Sequence, residues 1–323
     1  MNKPSLLIAR QIYPEVLAKL EHHFQVDYNE SDEVYSKEIL IQKLSGKQAA
    51  MTTGTERIDE DVLLACPQLK ICANIAVGYN NFDVASMTAR KVTATNTPDV
   101  LTETTADFGF ALMMATARRI AESEHFLRQG LWKKWSLDMF SGTDVSGSTL
   151  GILGMGRIGQ AIAKRGAHGF NMRVIYHNRS QLSDTLEQAC KAQYVSKEEL
   201  LKTCDHLVLV LPYSPQAHHT IGESELKMMK PSATLTNIAR GGIVDDAALV
   251  RALRAGQIAA AGLDVFENEP QLNPELLTVP NVVLTPHIAS ASRKTRLAMA
   301  ELAAENLISF FAKGQALTPV NHW

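Results

Sequence analysis

Thr149-Leu150-Gly151-Ile152-Leu153-Gly154-Met155-Gly156-Arg157-Ile158-Gly159 decides how the second half of this chain folds. The first five residues are an apolar strand. The next six read G-x-G-x-x-G, and from Ile158 to Gly169 the apolar residues return at helical spacing. Another strand, Arg173–His177, closes the unit after about 30 residues. Strand, glycine turn, helix and strand in that order form the context in which such a turn binds a dinucleotide. Gly154 permits the tight turn, Gly156 lets a pyrophosphate approach the backbone, and Gly159 lets the helix pack closely on the strand. The helix N-terminus then offers unpaired N–H groups and partial positive charge to the phosphates. Glycines at this spacing also mark purely structural turns. The flanking strands carry the reading.

The end of the second strand reads Tyr176-His177-Asn178-Arg179-Ser180. An enzyme that takes NAD usually places Asp or Glu about 20 residues past the glycines, to hold the ribose 2′-hydroxyl. No carboxylate is present here. Arg179 can pair with a 2′-phosphate, and Asn178 or Ser180 can hydrogen-bond it. The expected coenzyme is therefore NADP(H), with NAD(H) tolerated if Arg179 is only a solvated surface charge.

Outward from the turn, strands and helices alternate in both directions. Upstream, strands are expected at Ser5–Ala9, Phe24–Tyr28, Gln48–Thr52, Lys70–Asn74 and Val92–Thr95. Helices are expected at Pro14–His22, Ser36–Leu44, Asp59–Ala65 and Asp83–Arg90. Glu103 to Gln129 reads as one long helix closed by Gly130, with Phe108, Leu112, Ala115 and Ile120 at helical spacing. A helix this long and rich in Ala, Leu and Met has surface left to cover, which suggests a second subunit. Downstream, His206–Leu211, Ala233–Asn237, Ile258–Asp264 and Asn281–Thr285 read as strands, and Ser290–Lys313 as a second long helix ended by Gly314. The fold class expected is α/β, with two doubly wound parallel sheets of Rossmann or flavodoxin type.

Composition narrows the function. The 323 residues allow about two domains. A net charge of −2 provides no global field for nucleic acid or an anionic membrane. Cys66, Cys72, Cys190 and Cys204 form no C-x-x-C pair and no zinc spacing, so they read as free thiols. His218-His219 has no further ligand nearby in the sequence and reads as a surface turn, so no metal is expected. Met1 to Arg10 does not resemble a signal peptide, and no apolar run approaches the roughly 20 residues a membrane span needs. A reducing cytoplasm fits these features.

Three residues beyond the glycine turn stand out. Arg240 lies in Asn237-Ile238-Ala239-Arg240-Gly241-Gly242, just past a strand. Glu269 lies in Gly262-Leu263-Asp264-Val265-Phe266-Glu267-Asn268-Glu269-Pro270. His287 lies in Thr285-Pro286-His287-Ile288, after the last strand. Singly, such residues are more often a surface ion pair, a loop acid and a structural histidine. Together, and in this order, they resemble the D-isomer-specific 2-hydroxyacid dehydrogenases, most of all the bacterial glyoxylate/hydroxypyruvate reductases that also reduce 2-ketogluconate. The likeness runs nearly end to end, from Val77-Gly78-Tyr79-Asn80-Asn81-Phe82-Asp83 to the last helix.

The resemblance implies a role for each matching position. His287 would be the general acid that protonates the carbonyl oxygen as hydride reaches carbon. Glu269 would hydrogen-bond its imidazole and favour the protonated form. Arg240 would clamp the substrate carboxylate and polarise the keto group. N–H groups near Val77 and Gly78 would bind the same carboxylate. Asp264 would hold the nicotinamide carboxamide, Arg157 and Ile158 would face the pyrophosphate, and Thr105, Pro212 and Ile238 would line the coenzyme site. It also implies a homodimer, in which Trp132 or Trp135 could approach the neighbour's substrate pocket rather than pack in its own core. The substrate domain would be discontinuous, Met1–Val100 plus Ile288–Trp323, with the dinucleotide-binding domain at Leu101–His287 and the active site in the cleft between them. Asn80 departs from the family, which commonly carries Asp there. Relatives that act as redox-sensing co-repressors, and others that oxidise phosphite, mark the alternatives. Formate oxidation is disfavoured because Glu269, not Gln, stands beside the histidine.

Overall fold

The computed structural model describes residues 3–323; Met1 and Asn2, where the expected substrate domain begins, lie outside them. The chain divides into two compact units, Met1–Leu101 with Ala291–Trp323, and Thr102–Ser290. The breaks fall after Leu101 and Ser290, a few residues beyond the approximate bounds at Val100 and His287.

The discontinuous unit is built on β1 (Ser5–Ile8), α1 (Pro14–His23), β2 (Gln25–Tyr28), α2 (Lys37–Leu44), β3 (Ala49–Thr52), α3 (Glu60–Ala65), β4 (Ile71–Asn74), α4 (Val84–Ala89) and β5 (Thr93–Thr95). Its five strands run parallel in the order β2-β1-β3-β4-β5. This is the flavodoxin-type winding, with a switch point between β1 and β3. Strands β1, β3 and β4 are almost wholly buried because helices cover both faces, so they read as continuous apolar runs. Ser36 and Asp59 cap α2 and α3 by accepting the N–H of Ile39 and Val62.

The second unit contains α5 (Thr102–Ala117), α6 (Ile120–Arg128), β6 (Thr149–Leu153), α7 (Arg157–Lys164), β7 (Arg173–His177), α8 (Asp184–Cys190), β8 (Ala192–Tyr194), α9 (Lys197–Thr203), β9 (His206–Leu209), α10 (Glu223–Met228), β10 (Thr234–Asn237), α11 (Asp246–Arg254), β11 (Ala260–Leu263) and β12 (Val282–Leu284). Its seven parallel strands lie in the order β12-β11-β10-β9-β6-β7-β8. Counted from β6, that is the dinucleotide-binding order 3-2-1-4-5-6 with one strand added. The order reverses between β6 and β9, so the loops leaving those two strands flank the crevice where ligands of such sheets bind. The last helix, α12 (Arg293–Lys313), belongs to the first unit and is capped by Ser292, whose Oγ accepts the Thr295 N–H.

Three expectations change. The long helix Glu103–Gln129 is two helices, because Arg119 takes a left-handed φ of 53° and stops the first. The Thr143 N–H takes the Ala117 carbonyl, and Arg119 forks onto Glu122 in the first turn of α6. The buried face of α5 is Thr105, Ala106, Gly109, Phe110, Leu112, Met113, Thr116 and Ala117, so Ile120 is exposed and not part of the stripe. The helix after the glycine turn begins at Arg157 and ends in one π turn, Arg165–Gly169. Strand β8 was not expected; three residues at a sheet edge carry too little pattern to read. Among the described residues no helix is long and apolar enough to cross a membrane.

Candidate active site

The glycine turn joins β6 to α7. Gly154 has a φ of 102°, and a Cβ there would lie 2.6 Å from the Leu211 nitrogen. The turn thus packs against the loop leaving β9, where Pro212 is exposed. A Cβ on Gly159 would lie 2.5 Å from the Gly154 carbonyl oxygen, so the helix–strand contact expected of this glycine is present. A Cβ on Gly156 would meet nothing within 4 Å, which leaves open space over the backbone at the start of α7. Gly156 is the N-cap of that helix, Arg157 is exposed and Ile158 half-buried.

At the end of β7, Asn178 Oδ1 accepts the Met155 N–H at 2.6 Å, and the Asn178 carbonyl accepts the Tyr194 hydroxyl at 3.1 Å. Asn178 therefore ties β7 to the glycine turn, a part that the sequence does not reveal. Arg179 and Ser180 are exposed, and Arg179 forms no ion pair with a described residue. Thr105 on α5 is buried, and its Oγ1 finds no hydrogen-bond partner. An orphaned buried hydroxyl calls for a ligand or water to satisfy it. The open turn, the unpaired Arg179 and the orphaned Thr105 hydroxyl all fit a phosphorylated dinucleotide. Ile238, at the end of β10, is buried among the residues that α5 packs against.

Arg240, Glu269 and His287 come together in this unit. Asn237, the last residue of β10, shapes the turn carrying Arg240: its Oδ1 accepts the Ala239 N–H at 3.0 Å and its Nδ2 donates to the Arg240 carbonyl at 3.2 Å. Gly241 must be glycine, because a Cβ would lie 1.7 Å from the Phe266 carbonyl oxygen. That close approach sets the Arg240 turn against the Phe266–Glu269 segment. Arg240 is half-buried; burial lowers its guanidinium below the usual arginine value, and the charge of Glu269 opposes this.

Glu269 Oε2 meets His287 Nδ1 at 2.7 Å, while Oε1 accepts the Phe266 N–H at 2.8 Å. Burial pushes the Glu269 carboxyl up. The His287 hydrogen bond and charge, the Phe266 N–H and Arg240 outweigh it, so the group is held below the ordinary carboxylate value. An ionised Glu269 can only accept, so Nδ1 carries the hydrogen and Nε2 is left for a ligand.

His287 itself has a left-handed φ of 52°, a conformation that a residue with a Cβ holds only when its surroundings impose it. Asp264 supplies the imposition. Its Oδ1 accepts the Ile288 N–H and the Thr285 hydroxyl, its Oδ2 accepts the Ala289 N–H, each at 2.8 Å, and its carbonyl accepts the His287 N–H at 2.9 Å. Asp264 is fully buried, and that burial raises its carboxyl while the three donors oppose the rise. Its contacts are with the segment that carries His287, a positioning part that the motif alone does not reveal.

In the other unit, Val77 and Gly78 follow β4. Asn96 donates to the Val77 carbonyl at 2.8 Å and Asn74 to the Gly78 carbonyl at 3.1 Å. Asn81 locks the same loop through Asn74 and the carbonyls of Thr53 and Glu56. Among the described residues no acceptor takes the N–H of Val77 or Gly78. The carbonyls are pinned and the amides are unspent, which is what an anion-binding loop requires. Asn80, the family departure, is exposed on this loop. Trp132 and Trp135 are both exposed, so neither packs in its own unit's core.

Comparison with known proteins agrees with this geometry. Residues 110–289 match the model of the D-isomer specific 2-hydroxyacid dehydrogenase NAD binding domain. The glyoxylate reductase of Thermococcus onnurineus is 50% identical over 312 residues, spanning 95% of this chain and 93% of that one. The glyoxylate reductase of Pyrococcus horikoshii is 50% identical over 313 residues, again 95% of this chain and 93% of that one. Among solved structures, the NADPH-dependent glyoxylate/hydroxypyruvate reductase of Sinorhizobium meliloti, in complex with NADP and malonate, superposes with a TM-score of 0.86 at 36% identity, covering 99% of this chain and 97% of that one. A D-isomer specific 2-hydroxyacid dehydrogenase from Polaromonas superposes with a TM-score of 0.91 at 32% identity, covering 99% and 100%. Sheet order, glycine turn and the Arg240–Glu269–His287 cluster, with matches that run the length of the chain, place it in the D-isomer-specific 2-hydroxyacid dehydrogenase family, as an NAD(P)-binding oxidoreductase acting on 2-hydroxy acids.

Proposed function

We propose that this chain uses NADPH to reduce the 2-oxo group of small 2-oxo acids, glyoxylate and hydroxypyruvate first and 2-ketogluconate also, to 2-hydroxy acids, of D configuration where the product is chiral. The observation that carries the reading is the 2.7 Å bond between His287 Nδ1 and an ionised Glu269, with the Arg240 charge beside it. When bound, the coenzyme supplies a hydride to the carbonyl carbon. The chain does the rest. His287 delivers a proton from Nε2 to the carbonyl oxygen, and Glu269 stabilises the imidazolium that exists before transfer. Arg240 pairs with the substrate carboxylate and draws electron density from the keto oxygen. The unspent amides of Val77 and Gly78, in the other unit, also suit a carboxylate.

The coenzyme site uses Gly154, Gly156, Arg157, Ile158 and Gly159 for the pyrophosphate, with Thr105, Pro212 and Ile238 toward the nicotinamide end, while Asp264, its oxygens spent on residues 285–289, serves by holding His287. Arg179 and Ser180 take the 2′-phosphate, and Asn178 holds that corner together. The absence of a carboxylate at residues 176–180 and the unpaired Arg179 favour NADPH over NADH.

The working form is a homodimer. Helix α6 has no buried residue, and from it onward Ile120, Leu127, Leu131, Trp132, Trp135 (70% exposed) and Leu137 (86% exposed) present apolar surface. That concentration on one segment suits a second copy of the chain.

The test is initial-rate kinetics with glyoxylate, hydroxypyruvate and 2-ketogluconate, each with NADPH and NADH. His287→Ala is expected to lower kcat by at least about 100-fold. Near-normal turnover of that variant would remove its acid role, and no turnover of any 2-oxo acid by the unaltered chain would overturn the reading.

A further inference from the structure

The adjacent histidines His218 and His219 acquire in the fold a third potential ligand that the sequence does not place beside them. Glu267 Oε1 lies 3.1 Å from His219 Nε2 and 3.8 Å from His218 Nε2. One ligand atom from each of the three residues falls within 4.8 Å of the others. We propose that His218, His219 and Glu267, none of which the proposed reaction uses, form a surface site for a divalent transition-metal ion.

The donor set favours this class of ion. Two imidazoles and one carboxylate suit zinc and its neighbours, whereas calcium and magnesium favour all-oxygen sites. Three protein ligands would leave positions for water. Bonds of about 2.0–2.1 Å in a tetrahedron put ligand atoms about 3.3 Å apart. The present spread reaches that by side-chain rotation alone, since all three side chains are partly exposed. The two rings are now stacked, 3.8 Å between centroids at 21°, and one of them would swing so that both lone pairs meet one ion.

The supports beneath the ligands are fixed. The His219 N–H donates to the Gly242 carbonyl at 2.7 Å, and the Glu267 N–H to Asp246 Oδ2 at 3.2 Å. The Tyr213 hydroxyl lies 3.3 Å from His218 Nδ1, an outer partner of the kind that orients a ligating histidine. Three chain segments thus build the site: the loop after β9 carries His218 and His219, the turn that carries Arg240 supports His219 through Gly242, and the segment that carries Glu269 carries Glu267. A bound ion would cross-link the first of these to the third.

The experiment is calorimetric titration of Zn2+ into the full chain, stripped of metal with a chelator and dialysed. One saturable site per chain is expected, with affinity at least about 10-fold weaker in His219→Asn and in Glu267→Gln. Asn is chosen because residue 219 has a φ of 51°, which Asn tolerates. Zn2+ should also raise the Tm of the unaltered chain and leave that of Glu267→Gln unmoved. Two controls remove histidines elsewhere in the chain: His22→Asn with His23→Asn, the other adjacent pair, and His287→Asn, which also stands beside a glutamate. Both should bind as the unaltered chain does. No saturable binding, equal affinity in His219→Asn and Glu267→Gln, or loss of binding in either control would overturn the proposal.

Discussion

Asp264→Asn separates two roles for a residue that the family pattern alone assigns to the nicotinamide. The carboxylate is fully buried and accepts from the Ile288 N–H, the Thr285 hydroxyl and the Ala289 N–H, each at 2.8 Å. An amide keeps only one acceptor oxygen. If that oxygen takes the place of Oδ1, the new NH2 faces the Ala289 N–H, donor against donor. If it takes the place of Oδ2, the NH2 faces the Ile288 N–H instead. Either way one buried donor is orphaned, at about 1–3 kcal/mol, and the remaining bonds lose their charge assistance. The expected loss is about 2–4 kcal/mol. For a folding unit of this size each kcal/mol moves Tm by about 2–4 °C, so Tm should fall by at least about 4 °C. The released segment holds His287 at a left-handed φ, so kcat should fall together with Tm while KM for coenzyme moves little. Thermal unfolding followed by circular dichroism and steady-state kinetics read both. An unchanged Tm with a weaker coenzyme KM would refute the positioning argument and return Asp264 to the carboxamide.

Three further outcomes follow from the same geometry. Arg179→Ala should raise KM for NADPH by at least about 10-fold, the loss of one charge-assisted pair, and leave that for NADH nearly unchanged; equal effects on both coenzymes would show that Arg179 does not read the 2′-phosphate. Glu269 is held below its ordinary value of 4.5, so its contribution to stability is fully present above that pH and is lost as pH falls through the folded value; the stability gap between the unaltered chain and Glu269→Gln should therefore be widest near neutrality and close on acidification, and denaturant midpoints that differ equally at pH 7 and pH 3 would contradict this. Leu131→Glu with Trp135→Glu should convert a dimer to a monomer in analytical ultracentrifugation without loss of secondary structure, and an unchanged sedimentation coefficient would move the interface elsewhere.

The fold was legible because its signals are local. Buried parallel strands are short apolar runs, and the glycine turn needs particular backbone room at Gly154 and Gly159, which the sequence announces by leaving those positions without side chains. The break between α5 and α6 was not legible. The composition through residues 102–129 favours helix throughout, and what stops it is a backbone conformation at Arg119 together with a carbonyl claimed by Thr143, a residue 26 positions downstream of Ala117. Strand β8 is too short to show a period.

The site divides along the same line. Arg240, Glu269 and His287 could be named from residue type and order, because proton transfer and carboxylate binding admit few side chains. The residues that place them could not, because placing can be done by any acceptor in the right spot. Asn237 builds the Arg240 turn, Gly241 gives way to the Phe266 carbonyl, and Asp264 anchors the chain on both sides of His287. Each acts on backbone groups that every sequence has, so nothing in the motif marks which group it will meet. That dependence also explains why the late motifs are stretches rather than points. In Asn-x-x-Arg-Gly and Gly-Leu-Asp-Val-Phe-x-x-Glu-Pro one residue faces the chemistry and the others hold it at the angle the chemistry needs. A substitution at a holding residue should then read as lost turnover together with lost stability, whereas one at Arg240, whose charge burial disfavours, should read as lost turnover alone.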